Sequence, residues 1–318
     1  MYKRDQGLGR GTGPQSPIPD PQKGFPMTTP AKVFGTGLER VAVRPITKNI
    51  WWITHCLGDL AAEFYSDYFA VLPNAEEYAG KRVVDYPFSA FLIVDEQSML
   101  IDTVGPKQQD AMMDALAYML GDKSLDYIWI SHIELPHAGN AAVIKRRYPN
   151  AKLVTLAGGD HYELHALDNA IQVAPGDVMR LGQHEVEMVD ALFVDHGLSH
   201  WCFERTTGLM FTADWAHNLH EPACNECFMF LDEMLAGQYT TELFVDDVKV
   251  NAWYQFPWLA WADEDEIVTA VDRFFEQYDV KILAPSHGNI IRSDFKQYIP
   301  MIKEGMRRAV QMPFSNHL

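Results

Sequence analysis

The chain has 318 residues, with 43 acidic against 26 basic side chains and a formal charge of −17. That charge excludes a phosphate backbone, and so nucleic acid, as the expected partner. Its 47% hydrophobic and 12% aromatic content supports a packed core and excludes a fibrous or globally disordered chain. No apolar run approaches the roughly 20 residues that span a bilayer, and the first residues lack the apolar core of a signal peptide. The expectation is therefore a cytoplasmic protein with no membrane partner.

Residues 1–35 are rich in Gly, Pro, Gln and Ser. Too little apolar surface is available there to offset ordering, so they read as a flexible arm, with residues 36–318 as a single domain. Asn49 to Thr54 (NIWWIT) reads as a strand. Ser89 to Asp95 and Met99 to Asp102 read as a hairpin turning at Glu96-Gln97. Between them, residues 55–85 form an aromatic and acidic insertion, either a lid, a dimer contact or a surface excursion. Lys107 to Met119 has helical spacing through Met112, Leu116 and Met119. Tyr127 to Ser131 is a buried strand that runs straight into a His-rich loop. A helix follows at Gly139 to Tyr148 and a strand at Lys152 to Leu156. Short β-type runs lie near Val173, at Glu185 to Val189 and at Leu209 to Thr212. Asp265 to Tyr278 is an amphipathic helix and Val280 to Leu283 a last strand. Strands alternating with helices, with polar clusters at strand ends, predict a layered α/β protein whose site lies along one sheet edge.

Four cysteines are too few and too unevenly placed for a disulfide framework. Cys224 and Cys227 form one CxxC pair with no second pair to make a zinc ribbon, and read as reduced thiols in a loop or as a redox pair. Cys56 and Cys202 read as buried thiols.

The densest chemistry is in SHIELPHAGN, residues 131–140, where His132, Glu134 and His137 fall within six residues directly after a strand. A loop there can fold back so that all three converge. Imidazole nitrogen with carboxylate oxygen suits iron, manganese or zinc. Further along, His200 precedes a strand, Asp214 ends a β-type run (FTAD), and His287 ends the last strand (PSHG). Asp214 can bridge two metals. His161 and His165, four residues apart, read as surface positions, and His55 and His220 as ordinary polar side chains. The aromatic run Trp253 to Trp258 reads as core or interface, or as the wall of an apolar pocket over a metal.

These motifs, in this order and spacing, resemble the metallo-β-lactamase-fold domain of the flavodiiron family and of its flavodoxin-free relatives, the oxygen-binding di-iron proteins. The resemblance runs from about Ile46 to Ile302. It implies a four-layer αββα sandwich and a di-iron site held by His132, Glu134, His137, His200, Asp214 and His287. It assigns His132, Glu134, His200 and Asp214 to a first iron, and His137, Asp214 and His287 to a second. The family motif HxExDH reads HxExPH here, so Pro136 stands where the second metal would take an aspartate. Water, or one of Asp195, His196, His217 and His220, is then expected to fill that position, or the chain works with one metal.

What the resemblance implies is binding or activation of O2 or NO, as a reductase or as an oxygen-binding sensor. No FMN domain or rubredoxin-like cysteine set is read in the 318 residues, so electrons are expected from an external flavoprotein or rubredoxin-like donor. The family's habit predicts a homodimer. Two other activities use the same ligands. One is metal-dependent hydrolysis of an ester, lactone or phosphodiester, with zinc or manganese as the metal. The other is di-iron oxygenation of an organic substrate.

Overall fold

A computed structural model describes residues 32–56, 87–156, 170–195, 199–219, 228–292 and 294–312. Cys224, Cys227, His161, His165, His196, His220, most of the 55–85 insertion and residues 1–31 lie outside them.

The first sheet takes its strands in chain order. They are β1 (Lys32–Phe34), β2 (Val41–Pro45), β3 (Ile50–Cys56), β4 (Pro87–Val94), β5 (Ser98–Ile101), β6 (Tyr127–Trp129), β7 (Lys152–Leu156) and β8 (Ile171–Val173). Pairing is antiparallel from β1 to β5 and parallel from β5 to β8. The second sheet runs β13-β12-β11-β10-β9, built from Val178–Arg180, Glu185–Val189, Trp201–Glu204, Leu209–Phe211 and Ile282–Ala284 for β9 to β13. Its one parallel pair is β12 with β13.

The two sheets meet face to face. Trp52, Phe91 and Ile101 from the first interleave with Met188, Phe211 and Ile282 from the second, and the Phe91 and Phe211 rings lie 4.9 Å apart. Helices α1 (Gln109–Leu120), α2 (Leu135–Ala138) and α3 (Ala141–Arg147) follow strands of the first sheet. Met112, Leu116 and Ile144 of α1 and α3 bury against Leu92, Leu100 and Ile128 on that sheet's outer face. Outside the second sheet lie α4 (Leu231–Leu235), α5 (Thr241–Gln255), α6 (Glu264–Gln277) and α7 (Ile299–Val310). Phe244, Val271 and Met306 from these helices pack on Trp201 and Met210. The layers are helix, sheet, sheet, helix: the αββα sandwich that the motifs imply.

The hairpin turns where the sequence places it, with Asp95 to Gln97 linking β4 and β5. Helix α6 starts as expected because the Asp263 carboxylate accepts the Asp265 and Glu266 backbone N–H groups. Three features differ. Lys32–Phe34, placed by sequence in the arm, pairs with Val41–Val43 as an edge strand, so the ordered body begins before residue 36. The helix expected over 139–148 is α3, starting at Ala141 behind the separate turn α2. Helices α4, α5 and α7 carry no expectation from periodicity. For α5 the reason is physical: it buries polar Asp247 and Asn251 beside Phe244 and Val248, which blurs the apolar stripe of an ordinary surface helix.

Candidate metal centre

All the chemistry gathers where strands of both sheets end. Strand β6 stops at Trp129 and the chain turns through Ser131 into His132, Glu134 and α2, which carries His137. In the second sheet Phe211 pairs with Ala284. Asp214 and His287 each lie three residues beyond that pair, so parallel register delivers them to one place. Two hydrogen bonds prolong the ladder into these loops, Thr212 N to the Ala284 carbonyl at 3.2 Å and Ser286 N to the Ala213 carbonyl at 2.8 Å. Ser89 N donates to the Ser286 carbonyl at 2.8 Å, which ties β4 of the first sheet to the same edge.

His132, Glu134, His137 and Asp214 present ligand atoms that all lie within 4.8 Å of one another. The three other than Glu134 are buried, while the Glu134 side chain is 50% exposed. Asp214 divides its two oxygens. Oδ2 is 3.3 Å from His132 Nε2, whereas Oδ1 faces His137 Nε2 at 3.2 Å, His287 Nε2 at 3.3 Å and His217 Nε2 at 4.0 Å. Glu134 Oε2 is 3.9 Å from His132 Nε2.

His287 therefore joins the group through Asp214, although it stands outside the tight set of four. His200 is brought alongside by its backbone, whose N–H donates to the Ser131 carbonyl at 3.1 Å. Its ring is not among those four donors. Asp195 is held elsewhere, accepting from Ser199 Oγ and Gln255 Nε2, both at 2.7 Å. Pro136 sits in the first turn of α2, where a missing N–H costs nothing. It also offers no side-chain donor.

Several residues that hold the candidate ligands in place were not picked out from sequence. Asp102, just past β5, adopts a left-handed φ of 58°. Its carboxylate accepts from Ser131 N at 2.8 Å, Ser131 Oγ at 2.9 Å, Ser286 Oγ at 3.3 Å and His137 Nδ1 at 2.8 Å. A charged residue closing the wholly apolar run MLI was the available signal. His287 Nδ1 is fixed by the Pro87 carbonyl at 2.9 Å. Gln255, at the end of α5, donates Nε2 to Asp214 Oδ2 at 3.0 Å. In the run 253–258 it is thus the glutamine that reaches the centre, while Phe256 packs on Phe193 and Trp258 donates to the Val194 carbonyl.

Charge and burial compete at this site. Burial opposes ionisation of Asp214, yet the adjacent His137, His132 and His287 hold its carboxyl well below the usual range. Burial would likewise lower His132, but Asp214 pulls it well above its ordinary value. His137 is lowered by burial and by His132, and Asp214 and Asp102 outweigh both, raising it to about 9. His217 is different: burial and the neighbouring His287 push it down to about 3, so its imidazole is neutral.

The arrangement suits a cation. His137 Nε2 and Asp214 Oδ1 are buried and 3.2 Å apart, and neither completes a hydrogen bond. Two polar atoms left so would be costly, and an ion between them satisfies both. The donor set is nitrogen and carboxylate oxygen without sulfur, as hard or borderline divalent metals require.

Residues 84–210 match the family described as the metallo-beta-lactamase superfamily. A rubredoxin-oxygen oxidoreductase from Megalodesulfovibrio gigas is 28% identical over 118 residues, 36% of this chain and 28% of that protein. A nitric oxide reductase from Moorella thermoacetica is 26% identical over 257 residues, 78% of this chain and 57% of that protein. A flavodiiron core from Synechocystis sp. PCC6803 has the same fold at a TM-score of 0.62 and 17% identity, covering 84% of this chain and 60% of that one. The chain spans about a third of the length of several other flavoproteins it matches. Over residues 84–210 the chain thus matches a metallo-beta-lactamase domain, its fold is that of flavodiiron cores, and the relatives that share its sequence are named as diflavin flavoproteins, a rubredoxin-oxygen oxidoreductase and a nitric oxide reductase.

Proposed function

We propose that this chain is a cytoplasmic non-haem iron protein that binds or reduces O2 or NO, taking electrons from a flavoprotein or rubredoxin-like donor. The observation that carries the reading is the sulfur-free group of His132, Glu134, His137 and Asp214, in which Asp214 Oδ2 faces His132 and Oδ1 faces His137. In this reading His132, Glu134, His200 and Asp214 would hold a first iron, and His137, His287 and Asp214 would hold a second. The second is the weaker, because Pro136 supplies no anionic donor. The names of the relatives favour dioxygen and nitric oxide chemistry over hydrolysis.

Iron in such a shell supplies an open, redox-active position for a diatomic ligand. The protein's own residues prepare that position. Asp102 and the Pro87 carbonyl accept the Nδ1 protons of His137 and His287, which turns each Nε2 lone pair toward Asp214. Gln255 holds the Asp214 carboxylate in its rotamer. Phe88, edge-on to His287 at 4.9 Å, keeps water from that imidazole. The same reading includes a homodimer.

Metal analysis with an anaerobic optical titration tests the reading. Bound iron, and O2 or NO uptake by the reduced protein, are expected, together with loss of metal in Asp214→Ala. Zinc alone with turnover of a lactone or phosphodiester would overturn it. Catalytic O2 consumption with an artificial donor separates a reductase from a binding protein.

A further inference from the structure

Pro136 leaves the second metal position short of a donor, and the fold brings an unassigned imidazole to that side. The turn after β12 contains two non-glycine residues in the left-handed region, Ala213 at φ 44° and Ala216 at φ 63°. Each such residue is strained and persists only where its surroundings enforce it. Here Thr212 closes the turn, its carbonyl accepting from Trp215 N at 3.0 Å and its Oγ1 donating to the Trp215 carbonyl at 3.1 Å. The two reversals bring residue 217 back beside residue 214.

Beyond the turn the chain is pinned. Asn218 Oδ1 accepts from Asn289 N at 2.8 Å and Leu219 N donates to Asp247 Oδ2 at 3.0 Å. His217 is 1% exposed, and its ring is hydrogen-bonded to the Ala213 backbone. Its Nε2 faces Asp214 Oδ1 at 4.0 Å. The ring stands edge-on to His287 at 5.1 Å, and His287 stands edge-on to His137 at 5.2 Å. Three imidazoles thus surround one carboxylate oxygen.

The distances decide what that oxygen can share. Donors each about 2.1 Å from one ion lie roughly 3.0 Å apart at right angles and roughly 4.2 Å apart in opposition. The separations from Asp214 Oδ1 of 3.2, 3.3 and 4.0 Å for His137, His287 and His217 fall inside that interval. Of the other residues near the motif, Asp195 is engaged by Ser199 and Gln255.

We infer that His217 is a metal ligand, the imidazole that replaces the missing aspartate at position 136 and completes a second site with His137, Asp214 and His287. The inference rests on the metal-centre reading above. Exchanging a carboxylate for a neutral imidazole lowers the negative charge around the second metal by one, which makes the two positions electrostatically unequal.

Apo-protein titrated anaerobically with Fe(II), and in parallel with Zn(II), tests it through metal stoichiometry after gel filtration. Wild type is expected to take up two ions. His217→Ala and His217→Asn should retain the first with unchanged affinity and weaken the second by at least about 100-fold, the upper range for merely supporting residues. Pro136→Asp combined with His217→Ala should bring the second ion back. In wild type, histidine-selective 15N NMR during the Zn(II) titration should show the His217 ring nitrogens shifting with the second equivalent, a readout independent of any variant's folding. A second ion still bound by both folded variants, or His217 resonances indifferent to it, would overturn the inference, as would uptake of a single ion by wild type. Failure of wild type to bind any metal would instead remove the metal-centre reading itself.

Discussion

Asp102 Oδ2 lies 2.8 Å from His137 Nδ1, and both side chains are essentially excluded from solvent. The contact spans the first sheet's edge, joining the residue after β5 to the helix turn after β6. It fixes the orientation of the His137 ring and leaves Nε2 directed at Asp214. Asp102→Asn keeps the shape and removes the charge. The expected result is a metal affinity lower by about 10–100-fold, read by competition with a chromophoric chelator. An unchanged affinity would show that Asp102 serves the loop alone.

A second buried histidine–carboxylate pair gives the fold a pH signature at the other end of β11. His184 Nδ1 and Glu204 Oε1 are 3.0 Å apart. Burial opposes ionisation of Glu204, but His184, Thr206 and Thr207 hold its carboxyl down at about 2, below the ordinary 4.5. The hydrogen bond that His184 donates to Glu204 raises its imidazole above the ordinary 6.5. The carboxylate's contribution is therefore present above pH 4.5 and lost as pH falls toward 2. The imidazolium's is full below pH 6.5 and lost as pH rises through its raised value. The Tm difference between wild type and Glu204→Gln should be largest between pH 4.5 and 6.5. A difference that is flat from pH 3 to pH 9, the scan range, would contradict this account.

Gly139 ends α2 where two chain segments touch. A Cβ there would come within 2.5 Å of the Leu135 carbonyl oxygen and 2.6 Å of Pro106 Cδ. The neighbours are backbone and a rigid ring, so α2 itself has to shift, and it carries His137. Gly139→Ala is expected to cost about 1–3 kcal/mol in urea unfolding and to weaken metal binding with it. Full retention of both properties would mean the turn is more compliant than its contacts indicate.

Glu233 joins the layers electrostatically. It accepts from Arg44 of β2 through two bonds of 2.7 Å and from Arg292 at 2.8 Å, with both guanidiniums lying over the Phe230 ring. Removing it deprives the largely buried Arg44 of this carboxylate, while Arg292 keeps its two bonds to Asp232. Glu233→Ala should lose roughly 3 kcal/mol, whereas Arg44→Met, which removes a cation and retains the packing, should lose less. Equal losses in chemical denaturation would argue that packing against Phe230 dominates.

The sequence by itself determined a layered α/β protein with candidate ligands at strand ends, and its resemblance to a known family implied the αββα sandwich. Strand runs such as NIWWIT and KLVTL declare their burial by composition, and His132, Glu134 and His137 are neighbours in the chain whatever the fold. The order of His200, Asp214 and His287 at strand ends was legible for the same reason. Only the tertiary structure decided which groups serve those ligands. Asp102 reaches His137 across 35 residues, Gln255 reaches Asp214 across 41, and the Pro87 carbonyl reaches His287 across 200. No local pattern records such pairings, because they follow from strand register and from two left-handed alanines. Position 217 makes the point most clearly. In sequence it was one candidate among several for the place Pro136 leaves open. The turn that sets its Nε2 4.0 Å from Asp214 exists only because the parallel pair β12–β13 and the Asn218–Asn289 contact hold both ends of the loop.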